Sequence, residues 1–252
     1  GGTTPATTNS QAIYQSGAVS IWRNKVFVST DSNSAKVDLH VNGATRIGAI
    51  NQDPAVTKKV GASSFAGGNA AVASGNNAMA YGTSVEASGV NSAALGNSNV
   101  SSGSSSFTAG SSNKVGGVSS IALGSSNEID SNANFSIVGG LNNSIKNNSL
   151  SAVALGTFNS LGSKSKVNNA IAFGHKNKID QSDNAMAAGT GNIIGNKARA
   201  NASIAQGSGN SIDSDYSAAI GLENEIGQYS NTSFALGQKA RIAGTGAVQN
   251  AY

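Results

Sequence analysis

Cysteine is absent from this chain of 252 residues, and proline, aromatic and charged residues are scarce. Without cysteine, neither a disulfide framework nor a thiolate metal site can stabilise the fold. With 5% aromatic residues, the chain has too little bulky apolar surface for a conventional thick core. No run approaches the roughly 18 apolar residues of a membrane helix, so we expect no membrane insertion by this segment. We find no initiator methionine or signal peptide and expect a mature product or a fragment.

Glycine, serine, asparagine and alanine dominate instead, with 32 glycines alone. In a chain without repeats this composition would indicate disorder, because little apolar burial offsets the conformational entropy. Residues 121–124, 153–156 and 171–174, however, read Ile-Ala-Leu-Gly, Val-Ala-Leu-Gly and Ile-Ala-Phe-Gly. Alignment on the final glycine reveals twelve repeats, spaced 14 to 18 residues apart, at Gly68, Gly82, Gly96, Gly110, Gly124, Gly140, Gly156, Gly174, Gly189, Gly207, Gly221 and Gly237.

A period of 14 residues is too short for two helices and their turns, whereas two short strands and two tight turns fit it. We therefore predict an all-β fold, a parallel β-roll (β-solenoid) of about twelve coils. At about 4.8 Å per coil, the coils would form a rod roughly 55 Å long.

Two columns of residues predict the orientation of the chain after each glycine. Three residues after the glycine, nine successive coils have an asparagine, and stacked amides can hydrogen-bond along such a ladder: Asn99, Asn113, Asn127, Asn143, Asn159, Asn177, Asn192, Asn210 and Asn224. Two positions further on, an aliphatic residue shares the inward face because strand side chains alternate: Val115, Ile129, Ile145, Leu161, Ile179, Ile194, Ile212, Ile226 and Ile242. The residue between them is usually polar and should point outward.

The strand before the glycine is apolar on both faces, as in Ile121, Ala122 and Leu123. Neighbouring strand residues face opposite ways, so both faces should be buried. We expect alanine to fill the narrow interior of the coil. The outer face needs a partner, and we expect that partner to be the same strand of another copy of the chain.

The Ile-Ala-Leu-Gly, Ala-Ala-Ile-Gly and Phe-Ala-Leu-Gly cores, repeated over about residues 63–243, resemble the YadA-like head repeats of trimeric autotransporter adhesins. The resemblance implies a left-handed β-roll and a homotrimer. It also implies a non-enzymatic, extracellular head on a bacterial cell surface that binds host cells, matrix proteins, receptors or glycans. The chain departs from that family because no neck-like motif, heptad coiled coil or membrane anchor follows Gly237.

The remaining segments have a different character. We predict a flexible arm over residues 1–12 and a C-terminal tail over 244–252. Residues 13–62 should form a small β unit and linker, with a hairpin at Asn42 and Gly43 and a core of Trp22, Phe27 and Leu39. Residues 38–48 resemble segments of phage and other viral tail fibres. A receptor-binding fibre on a virion surface is therefore the alternative function.

Catalytic groups are scarce, and we predict no enzyme activity, catalytic residue, cofactor or metal. His40 and His175 are expected on the surface, and no serine lies in a nucleophile-elbow sequence. Asp213 and Asp215, with Glu223 and Glu225 in the next coil, could bind calcium or act as paired carboxylates, although ordinary solvated turns explain them too. A β-solenoid enzyme or an ice-binding protein forms a third class, but the chain has no Thr-x-Thr column of the kind that ice-binding solenoids present.

Positive charge is concentrated in one part of the rod. Between Gly140 and Ala200 seven basic residues stand against two acidic ones, a local excess of +5 in a chain of net charge +4. The coils there are also the longest, and loops on a rigid scaffold often carry binding residues. We predict a ligand-binding surface for a polyanion or acidic glycan, with no specific nucleic-acid binding, formed by Lys164, Lys166, Lys176, Lys178, Lys197 and Arg199. The alternative is that these charges keep the rod soluble.

Overall fold

The computed structural model describes residues 45–47 and 61–244, and these contain strands and turns but no helix. The prediction of an all-β parallel solenoid of about twelve turns is confirmed. The predicted arm over 1–12, the side chains of Trp22, Phe27, Leu39 and His40, and residues 245–252 of the predicted tail lie outside the described residues.

Each full coil contributes one strand to each of two parallel sheets. The first sheet contains β1 (Thr45–Ile47), β2 (Phe65–Gly67), β4 (Met79–Thr83), β6 (Ala93–Asn97), β8 (Phe107–Ser111), β10 (Ile121–Ser125), β12 (Ile137–Leu141), β14 (Val153–Thr157), β16 (Ile171–His175), β18 (Met186–Thr190), β20 (Ile204–Ser208), β22 (Ala218–Leu222) and β24 (Phe234–Gln238).

The second sheet is built from strands of two residues. It contains β3 (Val72–Ala73), β5 (Glu86–Ala87), β7 (Val100–Ser101), β9 (Lys114–Val115), β11 (Glu128–Ile129), β13 (Ser144–Ile145), β15 (Ser160–Leu161), β17 (Lys178–Ile179), β19 (Ile193–Ile194), β21 (Ser211–Ile212), β23 (Glu225–Ile226) and β25 (Arg241–Ile242). Because each strand pairs with its equivalents in the coils before and after it, backbone pairing runs along the rod.

The repeat glycine sets the register of the first sheet. Gly124 lies opposite Gly110 on one side and Gly140 on the other. Its φ is +110°, and a Cβ built on it would lie 2.1 Å from the carbonyl oxygen of Gly140. An L side chain would be strained in this conformation and would clash with the next backbone, so the stacking requires glycine here.

The interior consists of the predicted columns. Ala122 and its equivalents on the first sheet are buried, as are the nine asparagines and the aliphatic column from Val115 to Ile226. Thr108 interrupts the alanine column, and its hydroxyl is buried without a hydrogen-bond partner among the described residues. The residues between the asparagine and aliphatic columns point outward, as predicted: Lys114 is exposed and Glu128 is half-buried.

Residues 45–47 extend the first sheet beyond the repeats identified from the sequence. Strand β1 pairs in parallel with β2, with Thr45 opposite Phe65 and Ile47 opposite Gly67. These residues fall in the segment predicted as the small β unit, and they continue the solenoid's sheet. The twelve-glycine pattern missed this strand because the spacing before Gly68 is irregular.

Candidate functional site

The two longest coils, those of Gly156 and Gly189, carry loops in equivalent positions. We name residues 162–167 loop A and residues 195–200 loop B. Each begins at a glycine with positive φ, +70° at Gly162 and +74° at Gly195. Each ends at a fully buried residue, Val167 or Ala200. The loops are therefore anchored at both ends to the solenoid.

Carboxylates from the following coil fix the first half of each loop. The fully buried Asp180 accepts hydrogen bonds from the backbone N–H of Lys164 at 2.8 Å and from the Ser163 hydroxyl at 2.7 Å. Asp213, also buried, accepts one from the backbone N–H of Lys197 at 2.8 Å. A buried carboxylate is costly unless donors surround it, so these bonds favour one loop conformation.

The far ends of the loops have equivalent supports. The backbone N–H of Asn168 donates to Asp183 at 2.7 Å, and that of Asn201 donates to Asp215 at 2.7 Å. Ser149 and Ser182 accept the N–H groups of Val167 and Ala200, each at 3.0 Å. Asp213 and Asp215, which the sequence suggested as part of an acidic patch, thus hold loop B in place, as Asp180 and Asp183 hold loop A.

The acidic residues near the C-terminal end do not form one cluster. Asp215 lies 3.4 Å from Arg199, Glu223 lies 3.7 Å from Lys239 and Glu225 lies 3.2 Å from Arg241. Within the described residues no group of three or more histidine, aspartate or glutamate side chains is placed to hold a metal ion.

Four of the six predicted ligand-binding residues lie in the two loops. Lys164, Lys166, Lys197 and Arg199 are all exposed. The loops also contact each other across the intervening coil, because the Lys164 ammonium donates to the backbone oxygen of Asn196 at 2.9 Å and to its side-chain oxygen at 3.0 Å. This cation is therefore partly used within the protein.

The other two predicted residues lie apart from the loops. Lys176 lies in the turn between β16 and β17. The strand Lys178–Ile179 therefore separates it, along the chain, from the side of the solenoid that carries loops A and B. Lys178 is half-buried and lies 3.3 Å from Asp180. The nearby Lys146 is paired with Glu128 at 2.9 Å, and this hydrogen bond raises the pKa of Lys146 above its usual value of 10.5.

Two clefts flank loop B. Cleft A has a volume of about 390 Å³ and is lined by Ser165, Lys166, Gln181, Asp183, Arg199 and Asn201. Cleft B has a volume of about 370 Å³ and is lined by Lys197, Ala198, Arg199, Asp213, Asp215, Gln228, Tyr229 and Asn231. Arg199 belongs to both. The cations and the two acidic residues of cleft B, Asp213 and Asp215, stood out in the sequence, whereas the amide and aromatic residues that complete the clefts did not.

Large aromatic side chains occupy several turns. Phe135, Phe158, Tyr216 and Tyr229 are between 47% and 67% exposed, and all four have positive φ. Serine or asparagine fills the equivalent turns of many other coils. This substitution of an aromatic residue for a small polar one was the available sequence signal, and it was missed.

His175 is half-buried and has partners on the surface of the rod. Its Nδ1 lies 2.7 Å from the Thr157 hydroxyl, and its ring packs edge-on against Phe158 with the centroids 5.8 Å apart.

None of the described residues belongs to a helix long and apolar enough to span a membrane.

The outer face of the first sheet is a second candidate surface. The side chains that flank the alanine column point away from the interior, and many are exposed in the single chain: Leu123 by 44%, Phe173 by 59% and Leu236 by 63%. The predicted burial of this face against another copy stays a prediction.

No family model matches the chain, and a search of curated proteins finds no match.

Proposed function

We propose that the protein is a non-enzymatic attachment head that works as a homotrimer of left-handed β-rolls on an extracellular surface. The observation that carries the proposal is the apolar outer face of the first sheet. It runs along the whole stack of coils, roughly 55 Å at about 4.8 Å per strand. Its two columns of apolar side chains, together about 10 Å wide, give several hundred Å² of apolar surface. The largest apolar patches on ordinary monomers cover a similar area, about 300–600 Å².

A second copy of the chain is the occupant that fits this face. The apolar strip repeats with the spacing of the coils, and another solenoid offers the same repeat along the same length. The number three and the left hand come from the resemblance to YadA-like heads. A bacterial cell surface is the proposed location; the segment that favours a viral fibre, 38–48, lies mostly outside the described residues.

Light scattering at micromolar concentration tests the assembly. We expect the wild type to have three times the mass of one chain. Leu123→Asp should give monomers, because it places a charge in the apolar contact. Ser112→Asp is the matched control: Ser112 is exposed in a turn with φ +57°, a conformation that aspartate tolerates. A monomeric wild type would contradict the proposal.

We further propose that loops A and B form the attachment surface and bind an acidic glycan or other polyanion. Threefold symmetry would repeat the surface, and three weak sites on one rigid body can raise apparent affinity by roughly 10²–10⁴. Exposed charges are screened over about 8 Å at physiological salt, so binding should weaken as ionic strength rises.

Heparin binding at low and high salt tests this surface. We expect loss of binding when four loop residues are changed: Lys164→Ser, Lys166→Ser, Lys197→Ser and Arg199→Ser. A control removes the same formal charge from glutamate-paired positions: Lys114→Ser, Lys146→Ser, Lys239→Ser and Arg241→Ser. Equal binding by both variants would mean that the loop cations serve solubility.

A further inference from the structure

Cleft B is lined by aromatic, amide and acidic groups as well as by cations. Its volume of about 370 Å³ lies near the lower end of ligand pockets, which span roughly 300–1,000 Å³. A ligand the size of a sugar ring suits this space better than an extended protein segment. The lining combines two cations, an aromatic ring, two side-chain amides and two carboxylates.

Tyr229 is the one of the four exposed turn aromatics that lines cleft B. It is 65% exposed and has a φ of +63°. The position eight residues after the glycine holds Asn148 in the coil of Gly140, also with positive φ, +58°. Asparagine tolerates this conformation better than a bulky aromatic residue does. Tyr229 adds little to the core, and an amphipathic ring at the edge of a polar cleft can stack on a ligand.

Arg199 is available to bind an acidic group in the same cleft. Among the described residues its guanidinium makes a single hydrogen bond, to Asp215 at 3.4 Å, and 68% of the side chain is exposed. Exposed ion pairs of this kind are weak. A guanidinium has five donors and matches a carboxylate with two parallel hydrogen bonds, so most of its capacity remains for a ligand.

The charges around the cleft favour a ligand with few charges. Lys197 and Arg199 are balanced formally by Asp213 and Asp215. Asp213 is committed to the backbone of loop B, and Asp215 accepts the N–H of Asn201. A dense polyanion would meet these carboxylates, whereas a single carboxylate needs only the guanidinium and the ammonium group.

We propose that cleft B binds a carboxylated sugar, a ring that carries one carboxylate. Tyr229 stacks on the face of the ring, Arg199 and Lys197 hold the carboxylate, and the amides of Gln228 and Asn231 bind hydroxyl groups. The inference rests on the proposed attachment function and names the ligand class at one part of the same surface.

Calorimetric titration with three probes at constant low salt tests the proposal. Hyaluronan oligosaccharide carries one carboxylate on every second sugar, poly-glutamate carries carboxylates without sugar rings, and maltohexaose carries sugar rings without charge. We expect the wild type to bind hyaluronan more tightly than maltohexaose, and we expect hyaluronan binding, unlike poly-glutamate binding to the loop cations, to depend on Tyr229. Equal weakening of poly-glutamate and hyaluronan binding by Tyr229→Ser would overturn the proposal, as would absence of hyaluronan binding.

Variants separate stacking from charge. Tyr229→Ser should weaken hyaluronan binding roughly 2- to 12-fold, the range expected for one aromatic contact. Arg199→Gln should weaken it about tenfold or more, because it removes a charge-assisted hydrogen bond. Tyr229→Phe should bind like the wild type.

Tyr216→Ser is the matched control for the aromatic residue. Tyr216 is 67% exposed with a φ of +57°, and it does not line cleft B. If the serine variants of Tyr216 and Tyr229 bind alike, the cleft is not the site. Light scattering on the same samples separates the proposals: a trimer that does not bind hyaluronan overturns the cleft alone, whereas a monomer contradicts the attachment head.

Discussion

Replacing Asn159 by leucine removes one amide from the middle of the buried ladder. The Asn159 amide nitrogen lies 3.0 Å from the oxygen of Leu155, 2.9 Å from that of Gly174 and 3.0 Å from the side-chain oxygen of Asn143. Its side-chain oxygen accepts the backbone N–H of Asn177 at 3.0 Å and the side-chain amide of Asn177 at 3.1 Å. Leucine has nearly the same size but can make none of these bonds.

The expected cost follows from the groups left without partners. The side-chain amide of Asn177 still reaches the oxygens of Phe173 and Gly189. The backbone N–H of Asn177 loses the acceptor that Asn159 supplied. One unsatisfied buried donor costs about 1–3 kcal/mol. For a chain of this length, 1 kcal/mol lowers the melting temperature by roughly 2–4 °C, so we expect a fall of roughly 2–12 °C.

Thermal unfolding followed by circular dichroism measures this fall at one protein concentration, because assembly makes the melting temperature depend on concentration. Asn132→Leu is the control, since Asn132 is exposed in a turn and should change stability by no more than about 0.5 kcal/mol. An unchanged melting temperature for Asn159→Leu would refute the argument. An equal fall for both variants would show that leucine acts through some other effect.

Three further predictions concern single positions. Gly124→Ala should prevent folding or lower the melting temperature far more than Gly191→Ala does. Gly191 also has a positive φ, +65°, but a Cβ added there meets nothing within 4 Å. Similar effects of the two variants would contradict the close stacking of the coils. Thr108→Val should stabilise the protein by about 1 kcal/mol because it removes a buried hydroxyl without a partner, and a lower melting temperature would show that the hydroxyl is satisfied. Asp180→Ala should speed amide hydrogen exchange at Lys164 but not in β16, and no change at Lys164 would mean that Asp180 does not hold loop A.

The fold was predictable because the repeat imposes the same local solution many times. The glycine, asparagine and aliphatic columns are visible in the sequence, and in a parallel solenoid equivalent residues must stack. Strand β1 was missed because a longer, irregular spacing separates it from Gly68, the first repeat glycine, and the chain before Phe65 lacks the full pattern.

The candidate site was predictable only in part. The cations of loops A and B stood out because charge is rare in this chain. The supporting roles of Asp180, Asp183 and Asp213 did not, because each accepts a hydrogen bond from a residue 15 to 17 positions away in the sequence. In the sequence alone Asp213 was grouped with Asp215, Glu223 and Glu225 as an acidic patch.

The sequence by itself determined the parallel stacking, the narrow alanine interior and the asparagine ladder, because each depends on a residue type recurring at a regular interval. The tertiary structure decided which charges are free and which are used within the protein. It showed Lys164 bound to Asn196, Asp213 committed to loop B, and Tyr229 beside Arg199 in one cleft. These contacts depend on how loops of unequal length meet across coils, and the spacing of residues within one repeat does not specify that.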